Sequence, residues 1–482
     1  MEFDGKILVI GLGAVSRCTL PLLLTHVDSR PATYTVIDFA APEEHARWVR
    51  EAGITLVQDR VTPANYDELL GTYVGPGDLI VDLSWNVDTV TMLDWCRSHG
   101  VRFLNASVEQ WDPYATGENR MPREKTLYAR QMAIRAMIAR WGDNHGPTAV
   151  LDHGANPGLV SHFTKLALSD IASRLVADDG PRAELRDRVG ELAAAADWAR
   201  LSQALGVKVI HVSERDTQVS SDPKREDEFV NTWSVEGFYE EGIAPAEMGW
   251  GTHERMFPPG TQVHQHGPLN QIAVGRMGCR TWVRSWVPCG DIAGMVIRHG
   301  EAFSISEHLS VVEDGVCVYR PTVHYAYCPA DAAIASLHEL HMRGYDLQKK
   351  QRIMGDDIVE GRDELGVLLM GHPYTAWWTG SLLDIHEARS LVPHQNATTL
   401  QVAAPLMAAT KWVIDNPSAG VRLPDELPYE RILADSRPYL GPLVSQPVDW
   451  TPLKSWPDPF PGFSRRRPSD DDVWQFTTFL ID

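Results

Sequence analysis

The chain has 482 residues, 44% of them hydrophobic and 22% charged, and carries a formal net charge of −20. That length supports two or three domains with substantial cores. The acidic balance argues against a nucleic-acid partner and raises the local concentration of cationic ligands. No apolar run reaches the roughly 18 residues that span a bilayer, so no membrane partner is expected.

The first residues carry the most information. Lys6-Ile-Leu-Val-Ile10 is a short apolar strand running into Gly11-Leu-Gly13 and then an apolar-periodic helix. Gly11 permits the tight turn, and Gly13, with Ala14 and Val15 opening the helix, lets the backbone approach a pyrophosphate. A second apolar run, Thr33 to Ile37, ends in Asp38, placed to hold a ribose hydroxyl pair; this favours NAD over NADP. The third glycine of the fingerprint is Ser16, so helix and strand must pack around a hydroxymethyl group.

The following elements alternate. A helix is predicted from about Pro42 to Ala52, a strand at Ile54–Gln58, a helix at Asn65–Leu70 and a buried strand from Asp78 to Ser84. Then come a helix at Thr89–His99, a strand at Arg102–Asn105, a helix at Thr126–Trp141 and a strand at Thr148–Ala155. The βα alternation predicts an α/β fold whose N-terminal domain, residues 1–150, is a Rossmann-like doubly wound parallel sheet. Ser84 and Glu109 end segments at the carboxyl edge expected to face the cofactor. Asn156-Pro157-Gly158 is a turn before a helix from Leu159, and the domain transition is placed there. Asn156 is suited to bond a nicotinamide amide or to cap that helix.

Residues 176–200 read as exposed helix or insertion. From Val207 to about Val323 short β-like runs recur, among them Val207–Val212, Phe229–Ser234, Gln271–Val274, Thr281–Trp286 and Ala302–Ile305. They predict a second α+β domain, residues 151–482, with a mixed, mainly antiparallel sheet. Thr398–Asn416 is a long apolar helix able to pack back on the first domain. The acidic start, which enters a strand at once, predicts no signal peptide. Six cysteines without a Cys-x-x-Cys pair read as reduced thiols, so a cytoplasmic protein is expected. His338-Glu-Leu-His341 is one residue short of a zinc pattern and reads as helix surface; no metal is expected.

Two stretches concentrate polar groups: His211-Val-Ser-Glu-Arg-Asp-Thr-Gln218 and Asn231-Thr-Trp-Ser-Val-Glu-Gly-Phe-Tyr-Glu-Glu-Gly242. Glu214, Asp216, Glu236, Glu240 and Glu241 beside Trp233 can hold an organic ammonium by ion pairing and cation–π attraction. The same residues also fit an antiparallel hairpin with solvated charges and a core tryptophan. His299 and Glu301 precede a β-like run, and Asp363 and Glu364 precede the apolar run Leu365–Met370; each reads as structural or as ligand.

These segments carry a resemblance. Gly154-Ala-Asn-Pro-Gly158, Glu214-Arg-Asp-Thr-Gln218, Asn231-Thr-Trp-Ser-Val-Glu-Gly-Phe238, Ala246-Glu-Met-Gly-Trp-Gly-Thr252, Arg320-Pro-Thr-Val-His-Tyr-Ala-Tyr327 and Asp363-Glu-Leu-Gly-Val-Leu-Leu369 resemble, in order, the bacterial homospermidine synthases of the saccharopine-dehydrogenase-like group. Ser16 and residues 176–200 depart from the pattern. The resemblance implies an NAD-dependent enzyme that joins two putrescines into sym-homospermidine and releases ammonia, with NAD recycled, in a homodimer. It places Trp233, Glu214, Glu241, His299, Asn156 and Asp363 at active-site positions. Two alternatives remain: a non-catalytic NAD-binding sensor, which would need no matched set of acids, tryptophan and histidine, and a net NAD(P)-dependent reductase of the saccharopine or carboxynorspermidine dehydrogenase type. Its substrate carboxylates would need Arg or Lys in the pocket, where Glu and Asp dominate.

Overall fold

A computed structural model describes residues 1–112, 121–178, 183–454, 456, 460 and 466–481. Six strands form the first sheet in chain order: β1 Ile7–Ile10, β2 Tyr34–Asp38, β3 Thr55–Gln58, β4 Leu79–Asp82, β5 Arg102–Asn105 and β6 Gly146–Val150. A late strand, Ala419–Arg422, pairs with β6, giving the order Ala419–Arg422, β6, β5, β4, β1, β2, β3, all parallel. β1 is apolar throughout, and β2, β4 and β5 are mostly buried with apolar residues at their centres, because helices cover both sheet faces. The strand order reverses between β1 and β4, and the crevice beyond their carboxyl ends is where such sheets take ligands.

The helices of this half are α1 Ala14–His26, α2 Glu43–Glu51, α3 Tyr66–Tyr73, α4 Thr89–His99 and α5 Leu127–Trp141; α6, Leu159–Ala177, follows β6. The two short helices α7, Ala183–Ala194, and α8, Trp198–Leu205, lie in the stretch read as exposed or inserted. They are amphipathic instead. Val189, Leu201 and Leu205 are buried in the same core as α6, so the polar composition describes only their outer faces.

The second sheet has ten strands. At its centre β7, Val209–Asp216, lies between Thr322–Cys328, parallel to it, and Arg362–Met370, antiparallel. Beyond Arg362–Met370 come Ala376–Asp384 and Leu443–Val448. Beyond Thr322–Cys328 come Pro245–Gly249, Gln271–Met277 and Thr261–Val263, with the hairpin Trp282–Val287/Gly290–Met295 attached. Only the β7 pairing with Thr322–Cys328 is parallel, so the sheet is mixed and mainly antiparallel. The two-residue period sorts the side chains. Ile210, Val212, Tyr325, Tyr327, Leu365 and Val367 enter the core beneath α6, whereas Val209, Ala326, Leu368 and Trp378 enter a second core on the other face.

Two local expectations fail. Ala302–Ile305 is not a strand but part of α10, Glu301–His308, preceded in the chain by α9, Val235–Ile243. Residues 301 to 306 are buried on all sides, so no helical period shows and the β-forming Phe303 and Ile305 dominate the reading. The hairpin reading of 231–242 gives way to α9, whose first turn is capped by Ser234 accepting from the Gly237 N–H at 3.0 Å. The helix after α11 (Asp331–Met342) and α12 (Ile385–Leu391) is α13, Ala397–Asp415. Its Leu400, Ala403, Leu406 and Met407 share one core with Leu20 and Leu23 of α1 and with Val27 just after it, so the C-terminal segment builds the first sheet's layer as well as its last strand.

Candidate active site

The β1–α1 turn meets the demands of a dinucleotide. Gly11 has φ +92°, and a Cβ there would lie 2.9 Å from the Leu83 carbonyl oxygen. A Cβ on Gly13 would meet nothing within 4 Å. No side chain caps the N-terminus of α1 and its first turn holds no acid, so the helix end around Ala14 and Val15 presents backbone N–H groups to an anion. Ser16 is fully buried, and its hydroxyl has no hydrogen-bond partner among the described residues. The helix is therefore seated against the sheet with an unsatisfied hydroxyl where the fingerprint has glycine.

Asp38, at the end of β2, accepts the Leu12 N–H at 2.7 Å and the Ala40 N–H at 2.8 Å. Each carboxylate oxygen keeps a lone pair for a ribose hydroxyl. Ser84 follows β4, but its hydroxyl donates to the Asp82 carboxylate at 2.6 Å, so only its other atoms are free to face a cofactor. Glu109 follows β5. Ser107 donates to it at 2.9 Å, Arg130 lies 3.5 Å away, and burial lifts its carboxyl to about 7 against the pull of Arg130. The carboxyl ends of β1, β2, β4 and β5 thus bring these positions to one edge of the sheet, and they fit NAD.

That edge faces the second sheet across a narrow space, with room for about 40 Å³, bordered by Trp85, Glu109, Arg130, Glu240, Glu241, Arg298 and His299. Glu240 joins the two halves. It accepts the Trp85 indole N–H at 2.9 Å and the Arg130 guanidinium at 2.7 Å, and it pairs with Arg298. The pocket therefore holds arginines after all. Both are engaged: Arg298 also donates to the Lys125 carbonyl and Arg130 to that of Val108. Neither is left to bind a substrate carboxylate without breaking the Glu240 cluster.

Behind this space lies a row of acids on one face of the second sheet. Register places Asp363 opposite Asp216, and Tyr327 and Leu365 opposite Glu214, on the two sides of β7. Asp363 and Glu364 lie inside a strand, not before it. Glu214 accepts from the Tyr325 hydroxyl and from the Asn156 amide, the latter at 3.3 Å. The loop after β6 supplies Asn156, and Gly158 closes that loop at φ +124°, where any side chain would collide with Gly154. Asp216 accepts from Thr232 at 2.7 Å and from the Gln218 N–H at 2.8 Å. Asp363 accepts from Thr398 at 2.6 Å through Oδ2, while Oδ1 is buried without a partner among the described residues.

The donors to all three acids are neutral hydroxyls and amides. Burial lifts the Glu214 carboxyl to about 8, only partly offset by the Tyr325 hydroxyl, and lifts Asp363 well above the carboxylate range, reinforced by Glu214 and Asp216. An organic dication is the ligand class that would let these carboxyls ionise.

Trp233 is half-buried, donates its indole N–H to the Tyr327 hydroxyl at 3.0 Å, and lies against Gly237 of α9. Tyr327 stacks on Tyr325 at 5.0 Å, which links Trp233 to Glu214. His299 sits over Tyr325, with ring centroids 4.5 Å apart. Its Nε2 lies 2.9 Å from Glu241, and its Nδ1 lies 3.3 Å from Glu301. Burial alone would lower this imidazole, but the two carboxylates overrule it and hold His299 well above its usual range. Glu236, by contrast, points to solvent. Sequence reading missed Tyr325, Thr398 and Asp152. Tyr325 lies in the Arg320–Tyr327 block and Thr398 at a predicted helix start, but neither position by itself signals a contact to an acid, and Asp152 is set apart only in three dimensions, by its left-handed backbone, φ +52°.

Comparison with known proteins bears on this geometry. The saccharopine dehydrogenase NADP-binding domain model matches residues 7–150, and the saccharopine dehydrogenase C-terminal domain model matches residues 154–448. The chain is 42% identical to the homospermidine synthase of Blastochloris viridis, covering 100% of this chain and 98% of that protein. It is 40% identical to that of Mesorhizobium japonicum, covering 100% and 97%. The crystal structure of a Legionella pneumophila homospermidine synthase in complex with NAD superposes with a TM-score of 0.88 at 36% identity, covering 100% of this chain and 99% of that one.

Proposed function

The chain belongs to the homospermidine synthase family, and we propose that the space between its two sheets joins two putrescines into sym-homospermidine with loss of ammonia. It is an NAD-dependent enzyme of the saccharopine-dehydrogenase-like fold. The observation that carries the substrate class is the row of Glu214, Asp216 and Asp363, buried acids whose hydrogen-bond donors are all neutral.

Bound NAD, held by the β1–α1 turn and Asp38, supplies a hydride acceptor that serves again as donor. The chain's own groups do the rest. Free alkyl ammonium groups have pKa values near 10, so a base must relieve each reacting nitrogen of its proton. Glu214 and Asp363 hold ammonium groups and set the register of the diamine. Asn156 and Tyr325 fix the Glu214 carboxylate. Trp233 offers its ring to the cationic iminium and is not a nucleophile. Glu241 and His299 manage protons on the side bordering the space between the sheets. Trp85 and the Glu240 cluster close this space, which shields imine intermediates from water.

The reductase alternative loses ground because Arg130 and Arg298 are bound to Glu240. A cytoplasmic homodimer goes with this reading, and light scattering of the purified protein checks the dimer. The direct test of function is product analysis with putrescine and NAD. Homospermidine and ammonium in equal amounts support the reading, and their absence overturns it.

A further inference from the structure

Glu301 is the first residue of α10 and is fully buried, yet neither carboxylate oxygen has a hydrogen-bond partner among the described residues. Such a group costs stability. Its one close cation is the His299 ring, with Nδ1 at 3.3 Å, and the other ring nitrogen lies 2.9 Å from Glu241. Glu241 and His299 border the space between the sheets, whereas Glu301 does not. The three side chains therefore form a line from that space into the interior. Facing it are Asp152, whose carboxylate lies against Gly300, and Glu214 behind Tyr325. Arg298 and Arg130 are also near, tied to Glu240.

The proposed reaction needs a place to keep protons. Putrescine enters as a dication. The first reacting ammonium gives up one proton before hydride leaves the adjacent carbon, which yields an iminium. The second gives up one proton before its nitrogen attacks that carbon. The new C–N bond forms, the old one breaks, and ammonia departs with one proton as ammonium. Hydride return leaves a secondary amine, which takes the other proton. Two protons are removed and two are restored, so the balance with solvent is zero.

We infer that Glu241, His299 and Glu301 form a proton store for this reaction, with Glu301 as the positioning residue at its inner end. Glu241 exchanges protons with the reacting nitrogens. The ring releases its Nδ1 proton to Glu301 as Nε2 takes up the one from Glu241, so one proton rests on Glu301 and the next on Glu241 until both are returned. The inference rests on the homospermidine synthase reading.

The test is Glu301→Gln in the full-length enzyme with NAD and putrescine. The inference expects kcat to fall at least about tenfold. It expects the putrescine KM and the NAD Kd to stay within about twofold. The basic limb of the pH–rate profile should move to lower pH, because one of the two carboxylates that hold the imidazolium is gone. Glu301→Asp should restore most of the rate. An unchanged kcat, or a loss expressed in KM alone, overturns the store and makes Glu301 inert or an ammonium ligand. If Glu301→Gln does not fold, Glu301→Asp decides: a displaced pH profile supports the inference, and one superimposable on the wild type overturns it. Failure of the wild-type protein to make homospermidine is a different result and overturns the underlying reading instead.

Discussion

Thr398, on the first turn of α13, donates its hydroxyl to Asp363 Oδ2 at 2.6 Å, and the buried Asp363 Oδ1 has no hydrogen-bond partner among the described residues. The same hydroxyl lies 3.3 Å from Asp216 Oδ2, but its single proton serves the nearer acid. A helix that packs on the nucleotide-binding half thus aims a carboxylate of the other half. Thr398→Val should raise the putrescine KM by about tenfold, the worth of one hydrogen bond to a charged group, and leave NAD affinity unchanged. Thr398→Ser should behave as the wild type. Steady-state kinetics with fluorescence titration of NAD checks both.

Glu214 makes ligand binding and stability depend on pH. Its carboxyl rises from 4.5 to about 8 in the folded chain, chiefly through burial. Across that window the folded protein carries more protons than the unfolded one, so the free enzyme loses stability as pH rises. A bound dication requires the ionised form, so putrescine binding should release protons below about 8 and tighten with rising pH. Calorimetry in two buffers of different ionisation enthalpy measures the release. Heats independent of buffer would remove Glu214 from the ammonium site.

The Glu240 cluster is a stability element. Glu240→Gln leaves Arg130 and Arg298 buried with their shared countercharge gone, which should cost about 3–5 kcal/mol. Glu236→Gln, on the exposed side of the same helix, should change stability by less than about 0.5 kcal/mol. Denaturant unfolding of the two variants checks the contrast.

Cofactor binding rests on two positions. Gly11→Ala places a methyl group 2.9 Å from the Leu83 carbonyl at a left-handed φ of +92° and should abolish NAD binding while the second sheet stays folded. Asp38 should disfavour a 2′-phosphate by roughly 2–3 kcal/mol. Equal affinity for NAD and NADP in a titration would show that Asp38 does not reach the ribose.

Much of the first sheet was legible because strands buried on both faces print as apolar runs between turns. Thr89–His99 and Arg102–Asn105 lie where their sequence places them. The burial of α10 erased its period, and the Ser234 cap that announces α9 was outweighed by its strand-like neighbours. Glu214, Asp363 and Trp233 were visible as unusual polar and aromatic residues in β-like context. Tyr325 and Thr398 were not, because a tyrosine in a buried strand and a threonine at a helix start acquire their parts only from register and packing. Glu301 stood in plain view, but its unpaired oxygens exist only in three dimensions.

The central claim is that hydride leaves one putrescine and returns to the molecule built from it. The most direct measurement supplies putrescine fully deuterated at its aminomethyl carbons, with NAD far below stoichiometry, and reads the mass of the triamine. The account predicts many turnovers per NAD and homospermidine that keeps the full deuterium content of both precursors. Accumulation of NADH in step with substrate consumed, with no triamine formed, would contradict it.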